Sequence, residues 1–242
     1  ATIEAARRKG FRRFVLQTNA ILLTPGLRER LVRLGVRSYM VSFHSHRPAL
    51  YDKITGSRRL FSKAAAGLAG LIRDEGCHVT VNVVVNAANY RDLPGLMGFI
   101  GGLAAGLPRR RRPGVYFSMI NEFGHEKAPA WTVDLAQVAP FLRRAEQRCR
   151  REGLRVESLG SETAFPACLF QDPGRHAARR AFPQDRVRDA EEFSGAPESI
   201  GRAKRPACRR CAFDAKCLGV PARYARMFGL GALKVPSRRS HA

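Results

Sequence analysis

Val79-Thr80-Val81-Asn82-Val83-Val84-Val85 is the stretch on which the fold turns. It is β-branched almost throughout, and branching at Cβ suits an extended backbone better than a helix. Apolar residues fall on both parities, not at alternate positions. That pattern predicts a strand covered on both faces, as in a parallel sheet between helices. Asn82 breaks the run. A buried carboxamide costs free energy unless it is hydrogen bonded, so Asn82 needs a partner.

Working outward, Phe61 to Glu75 is rich in Ala and Leu, with Leu68, Leu71 and Ile72 on one helical face and Gly76 beyond its end. Tyr39-Met40-Val41 reads as a strand. Thr24-Pro25 opens a helix, the hydroxyl as cap and the ring in the first turn, with Leu27, Leu31 and Leu34 on one side. Phe14-Val15-Leu16 is a further short strand. Downstream, Asn89 and Pro94 open a helix to about Ala104, and Val115-Tyr116-Phe117 is a strand. A longer helix runs from about Val133 to Arg151 across Pro140, and Leu154-Arg155-Val156 follows. This alternation predicts an α/β fold with a parallel sheet. Four or five strands are too few to close an eight-stranded barrel. From about Ser161, Pro, Arg and Cys become frequent and periodicity fades. The expected organisation is an α/β domain over residues 1–160 and a small Cys-rich domain over residues 161–242.

Hydrophobic residues make up 45% of the 242 positions, an ordinary share for a globular protein. No apolar run approaches the ~18 residues that would span a bilayer, so no membrane partner is expected. Residues 1–14 lack the apolar core of a signal peptide, which makes the cytoplasm the expected location. Residues 3–9 read as the tail of an amphipathic helix ended by Gly10, so further residues are expected upstream. The net charge of +23, from 43 basic and 20 acidic residues, favours polyanions. The densest basic run, Arg109-Arg110-Arg111-Arg112, reads as a solvated loop.

Parallel α/β folds collect their chemistry where strands end. Gln17, Thr18 and Asn19 follow the first strand, and Ser42 and His44 the second. Asn82 and Asn86 lie in and after the third, and Ser118 and Asn121 after the fourth. Each alone reads as a cap or turn residue. Their repetition at four successive strand ends points to a shared binding surface. His44 and His46 read as loop residues rather than ligands or bases, and His78 as structural.

Six cysteines are present, at 77, 149, 168, 208, 211 and 217. Without a secretion signal, clustered cysteines point to metal before disulfides. Cys208-Arg-Arg-Cys211-Ala-Phe-Asp-Ala-Lys-Cys217-Leu-Gly219 places three thiols within one short run. A tetrathiolate centre needs a fourth, and Cys168 is the natural donor. Arg202, Lys204, Arg205, Arg209 and Arg210 surround the run, and their charge favours thiolates. Four thiolates suit zinc as well as an iron–sulfur cluster, so both stay open. Cys77 and Cys149 read as ordinary thiols.

The order of these motifs resembles the radical S-adenosylmethionine superfamily. Gln17-Thr18-Asn19-Ala20 with Leu22-Leu23 resembles its "TNG" third strand. Tyr39 through His44 is similar to the fourth strand, which ends in Ser. Tyr51-Asp52-Lys53-Ile54-Thr55-Gly56 resembles the "hDxxtG" segment, and Val79 through Val85 with Asn89 the fifth strand and its following Asn. The match covers roughly residues 1–125 and continues in the tail, which resembles the auxiliary-cluster domains called SPASM or twitch. Pro221 stands where a full SPASM set has another Cys, so a single twitch-like cluster is the better match.

The resemblance implies a partial (β/α)6 TIM-type barrel lacking its first strands, with a small Cys-rich C-terminal domain. It implies an auxiliary [4Fe-4S] cluster on Cys168, Cys208, Cys211 and Cys217. It places Ser42 and Asn82, with Gln17 and Asn19, in the S-adenosylmethionine cavity. It further implies radical hydrogen abstraction from a peptide or protein substrate. The CxxxCxxC loop that carries the family's first cluster does not occur in this sequence and is expected upstream. S-adenosylmethionine binding is therefore expected only with that segment present, and whether the chain is itself an enzyme stays open. The alternatives are a zinc-binding, Arg-rich nucleic-acid-binding protein without catalysis, and an inactive fragment.

Overall fold

The structure, a computed structural model, describes residues 2–120, 128–157, 165–176 and 202–235. The elements run α1 (Thr2–Arg8), β1 (Val15–Thr18), α2 (Pro25–Arg33), β2 (Ser38–Ser42), α3 (Pro48–Thr55), α4 (Phe61–Arg73), β3 (His78–Val85), α5 (Leu93–Leu103) and β4 (Gly114–Met119). They continue with α6 (Ala128–Trp131), α7 (Leu135–Arg151), β5 (Arg155–Val156), α8 (Pro173–His176), β6 (Arg202–Ala203), β7 (Val220–Pro221) and α9 (Ala222–Phe228). The first five strands form one sheet in the order β1-β2-β3-β4-β5, with β1/β2, β2/β3 and β4/β5 parallel. This is the expected α/β alternation, and it is compatible with a partial TIM-type fold. Asn121 and Ser161 lie outside the described residues. Among the described residues no helix is long and apolar enough to cross a membrane.

The chain divides into two compact units. The first comprises residues 1–84, 92–116 and 147–157, and the second residues 85–91, 117–146 and 158–242.

In the first unit, burial alternates along the central strands. Tyr39, Val41 and Phe43 are buried, as are Val79, Val81 and Val83, while Met40, Ser42, Thr80, Asn82 and Val84 are only half-buried. The β-branched run therefore has one packed face and one less covered face, where equal cover was expected. The packed face meets helices. Phe43 lies 5.3 Å from Tyr51 of α3 and 5.8 Å from both Phe61 of α4 and Phe99 of α5, centroid to centroid. Such aromatic contacts add to the burial that drives packing. Thr24 caps α2 as expected, accepting the Leu27 amide at 3.3 Å.

Local chemistry shapes the turns after these strands. Thr18 Oγ1 accepts the Ala20 amide at 3.0 Å, and Asn19 Oδ1 accepts the Ile21 amide at 3.2 Å. Ala20 sits at φ +62° in the left-handed region, which is uncommon for a residue with a Cβ. Its carbonyl lies directly against Gly67 of α4, where any Cβ would overlap it. Asp52 closes the loop after α3. Its Oδ1 accepts Ser57 Oγ at 2.8 Å and the Leu60 amide at 3.3 Å, and its Oδ2 accepts the Arg59 amide at 2.7 Å. The Ser57 hydroxyl and these amides hold its carboxyl below the usual carboxylate range. The Asp-x-x-Thr-Gly segment thus acts here as a loop closure.

In the second unit, the first turns of α7 bury Leu135, Val138, Leu142, Ala145 and Glu146 on one stripe. β6 and β7 pair antiparallel, Arg202 opposite Pro221 and Ala203 opposite Val220. The connection between these two strands carries three of the cysteines.

Candidate functional site

Two arrangements merit a chemical reading, one in each unit. In the first, strand register builds a polar row. Ser42 and Asn82 are direct register partners across β2 and β3, and Gln17 aligns with Met40 and Thr80 two residues earlier. Side chains two apart on a strand share a face, so Gln17, Ser42, Asn82 and His44 belong to the less covered side of the sheet. Gln17 and Asn19 are exposed. Asn19 stands just past β1, and its side-chain oxygen is engaged by the Ile21 amide. The row offers hydroxyl and carboxamide donors and acceptors at the strand ends.

His44 bounds this row. Its Nδ1 accepts the Val84 amide at 3.2 Å, and burial pushes its pKa down to about 4. Below neutral pH as at it, down to about 4, His44 stays a neutral imidazole that accepts a backbone amide. His46 is half-buried, with its ring against Gly95, and burial lowers its pKa also.

In the second unit, Cys168, Cys208, Cys211 and Cys217 line one pocket, walled also by Phe213 and Leu233. No disulfide joins any of the six cysteines, all of which are among the described residues. Cys208 and Cys211 flank a tight turn, with the Cys211 amide donating to the Cys208 carbonyl at 2.9 Å. The Phe213 amide donates to Cys211 Sγ, and the Gly219 amide to Cys217 Sγ, each at 3.4 Å. These two N–H groups fix the orientation of the Cys211 and Cys217 side chains. Gly219 has φ +70°, and a Cβ there would overlap the Ala203 carbonyl, so only glycine fits beside Cys217. The loop is closed by Lys204, whose Nζ lies 2.8 Å from Asp214 Oδ1 and from the Asp214 carbonyl oxygen. Arg202 donates to the Gly219 carbonyl at 2.9 Å.

Burial pushes the Cys168 thiol up to about 11. The Lys234 amide eases its ionisation, and the three other cysteines oppose it. Among the described residues, no three His, Cys, Asp or Glu side chains are gathered tightly enough to grip an ion as they stand. The four cysteines nonetheless line one shared pocket. An all-sulfur donor set suits a soft centre, either zinc or iron–sulfur.

Both cysteine segments are tied to α7. Tyr224 of α9 donates to Asp134 Oδ1 at 3.1 Å and accepts the Leu135 amide at 2.8 Å, at the start of the helix. Two turns on, Arg143 Nε donates to the Leu169 carbonyl at 3.2 Å. Glu146 accepts the Gln171 amide at 2.8 Å on Oε2 and faces His176 Nε2 at 3.2 Å with Oε1. The sequence reading missed Asp134, Arg143, Glu146 and His176. One signal was available: Glu146 is a charged residue on the apolar stripe of an amphipathic helix.

No family model matches the chain. It is 27% identical over 186 residues to the AdoMet-dependent heme synthase of Nitratidesulfovibrio vulgaris, a match covering 69% of this chain and 50% of that protein. That likeness supports the radical S-adenosylmethionine superfamily. The chain spans half the length of the curated relative it matches.

Proposed function

We propose that this chain is a portion of a radical S-adenosylmethionine enzyme in which Cys168, Cys208, Cys211 and Cys217 hold an auxiliary [4Fe-4S] cluster. The observation that carries this reading is the single pocket lined by all four thiols, with backbone amides on Cys211 and Cys217. When bound, such a cluster supplies a one-electron carrier, and four thiolate ligands leave no iron open to substrate. In the same reading residues 1–160 are the barrel domain and residues 161–242 the auxiliary domain. Ser42 and Asn82 bind S-adenosylmethionine, with Gln17 and Asn19 beside them, supported by the register that sets Ser42 against Asn82. Free thiols throughout fit a reducing compartment, the cytoplasm. Two substrate classes stand. The likeness of the tail to SPASM and twitch domains favours a peptide or protein, and the name of the relative favours a tetrapyrrole.

Anaerobic reconstitution tests the cluster. Iron and sulfide in equal amounts, with the broad visible absorption of thiolate-ligated iron, are expected. They should be lost in Cys208→Ala and Cys211→Ala. Stoichiometric zinc without sulfide would overturn the reading in favour of a zinc protein. Combined with a steep salt dependence of DNA or RNA binding, it would favour the nucleic-acid alternative. For the polar row, Asn82→Leu should abolish retention of S-adenosylmethionine by the protein carrying its first cluster, while the auxiliary cluster stays loaded.

A further inference from the structure

Three of the four pocket sulfurs come from one short run that its own turns organise. Cys168 does not. It lies in residues 165–176, whose regular structure is a single 3-10 turn at Ala167–Leu169 and the four-residue α8. Turns this short have no rigidity of their own. The position of Cys168 therefore depends on what pins the segment: the Lys234 amide meets the thiol itself, and the side chains that hold the rest of the segment sit on one face of α7. Arg143 holds the Leu169 carbonyl. Glu146 uses both carboxylate oxygens, one on the Gln171 amide and one on His176 Nε2. The His176 ring in turn stacks on Phe170, with centroids 3.8 Å apart and planes 14° from parallel. One carboxylate thus fixes the segment at two points beyond Cys168.

The burial of this pair is what needs explaining. Glu146 is 1% exposed and His176 7%. A buried polar pair is weak evidence for stability, because desolvation offsets most of the attraction and an apolar pair would serve as well. What a directional pair adds is a single register of the segment against the helix. We infer that Glu146 and His176 are positioning residues that aim Cys168 at the pocket as its fourth ligand. This rests on the cluster reading above. Residues that orient a ligand without touching the metal typically matter by about 10- to 100-fold in metal affinity.

The test uses the reconstituted protein and reads cluster type as well as content. Cys168→Ala sets the benchmark: a cluster held by three cysteines, prone to losing one iron and giving the near-isotropic electron paramagnetic resonance signal of a three-iron centre on oxidation. Glu146→Ala and His176→Phe should reproduce that signal and release one iron to a chelator about 10- to 100-fold faster than the unaltered protein. His176→Phe keeps an aromatic ring against Phe170, so it separates the lost nitrogen from lost packing. Glu146→Gln keeps an acceptor for the Gln171 amide and a hydrogen-bonding group for the imidazole, and should restore most of the four-iron form. Four-iron clusters with unaltered iron retention in both Glu146→Ala and His176→Phe would overturn the inference. Loss of all iron in His176→Phe, as in Cys208→Ala, would also overturn it, because the pair would then hold the whole unit and not one ligand. If Cys168→Ala itself matches the unaltered protein, or that protein takes up no iron and sulfide, the cluster reading fails first.

Discussion

The polar row of the first unit and the cysteine pocket of the second are built by different means. Ser42 and Asn82 are neighbours because β2 and β3 are neighbours; the ladder's own hydrogen bonds set their spacing. Cys168 and the run from Cys208 to Cys217 share a pocket although far apart in sequence; side chains on α7 tie down the first segment, and the Tyr224 hydroxyl ties the second to the start of α7. A site made by register keeps its backbone geometry when a side chain is lost, even where binding fails. A site made by pins and a metal loses its geometry when either goes. The two units should therefore answer perturbation in opposite ways.

The widest separation should come from removing the metal. A structural tetrathiolate centre contributes on the order of 10 kcal/mol to the fold that holds it. Chelation, or Cys211→Ala, should leave amides at 202–235 exchanging freely while those of β2 and β3 stay protected. Hydrogen exchange followed segment by segment reads both at once, and loss of protection in β2 and β3 would contradict the contrast. Acid should weaken the first unit through a single imidazole. His44 has a folded pKa of about 4 against an ordinary value of 6.5, so the unfolded chain takes up the proton first as pH falls. The stability due to neutral His44 is fully present above pH 6.5 and is lost between 6.5 and 4. Each tenfold change in proton affinity is worth about 1.4 kcal/mol, so the loss reaches about 3 kcal/mol. His44→Gln, which retains an acceptor for the Val84 amide, should flatten this part of the pH profile of first-unit stability in urea titrations.

The same contrast decides what the sequence alone made legible. β3 was readable because its residues from Val79 to Val85 are β-branched but for Asn82, and α2 because Thr24-Pro25 carries cap and first turn within two residues. Both rest on interactions between near neighbours. The candidate cysteines were readable because thiols are rare and their spacing is chemical. What pins the two cysteine segments was not readable: the charge on an apolar stripe marks Glu146 but not its partners, and Glu146 meets Gln171 and His176, and Tyr224 meets Asp134 and Leu135, across long separations. The half-covered face of the sheet was misread for a related reason. Valine on both parities says that a strand is apolar, but what covers each face depends on which helices return to it.

Close packing in the first unit gives the next effect. Gly67→Ala would drive a methyl into the Ala20 carbonyl, a backbone atom that has no rotamer to yield. Overpacking of this kind costs about 1–3 kcal/mol, read as a lower urea midpoint for the first unit with cluster content unaltered. In the second unit Tyr224→Phe removes the acceptor of the buried Leu135 amide and a donor to Asp134. Leaving a buried donor unpaired costs about 1–3 kcal/mol. Asp134 still accepts the Ala136 amide at 2.9 Å, which keeps the helix start partly capped and the loss near the lower end. Thermal unfolding of the cluster-loaded protein measures it.

The smallest effect tests how the first unit accommodates its one buried departure from the "TNG" pattern it resembles. Ala20 stands where that pattern has glycine, in a left-handed conformation that costs an L-residue about 1–2 kcal/mol. Glycine would remove that strain. It would also delete a fully buried methyl, worth about 0.8 kcal/mol, and free the unfolded chain by about 0.4–1 kcal/mol. These contributions nearly cancel, so Ala20→Gly should shift stability by less than about 1 kcal/mol in urea titrations. Its coupling to Gly67 is more informative than its size. The overlap awaiting a Cβ at Gly67 is with the Ala20 carbonyl, which Ala20→Gly leaves in place. The double variant should therefore retain most of the Gly67→Ala penalty. A full rescue would mean that the turn after β1 moves as a body once its methyl is gone, and that register alone does not hold this end of the polar row.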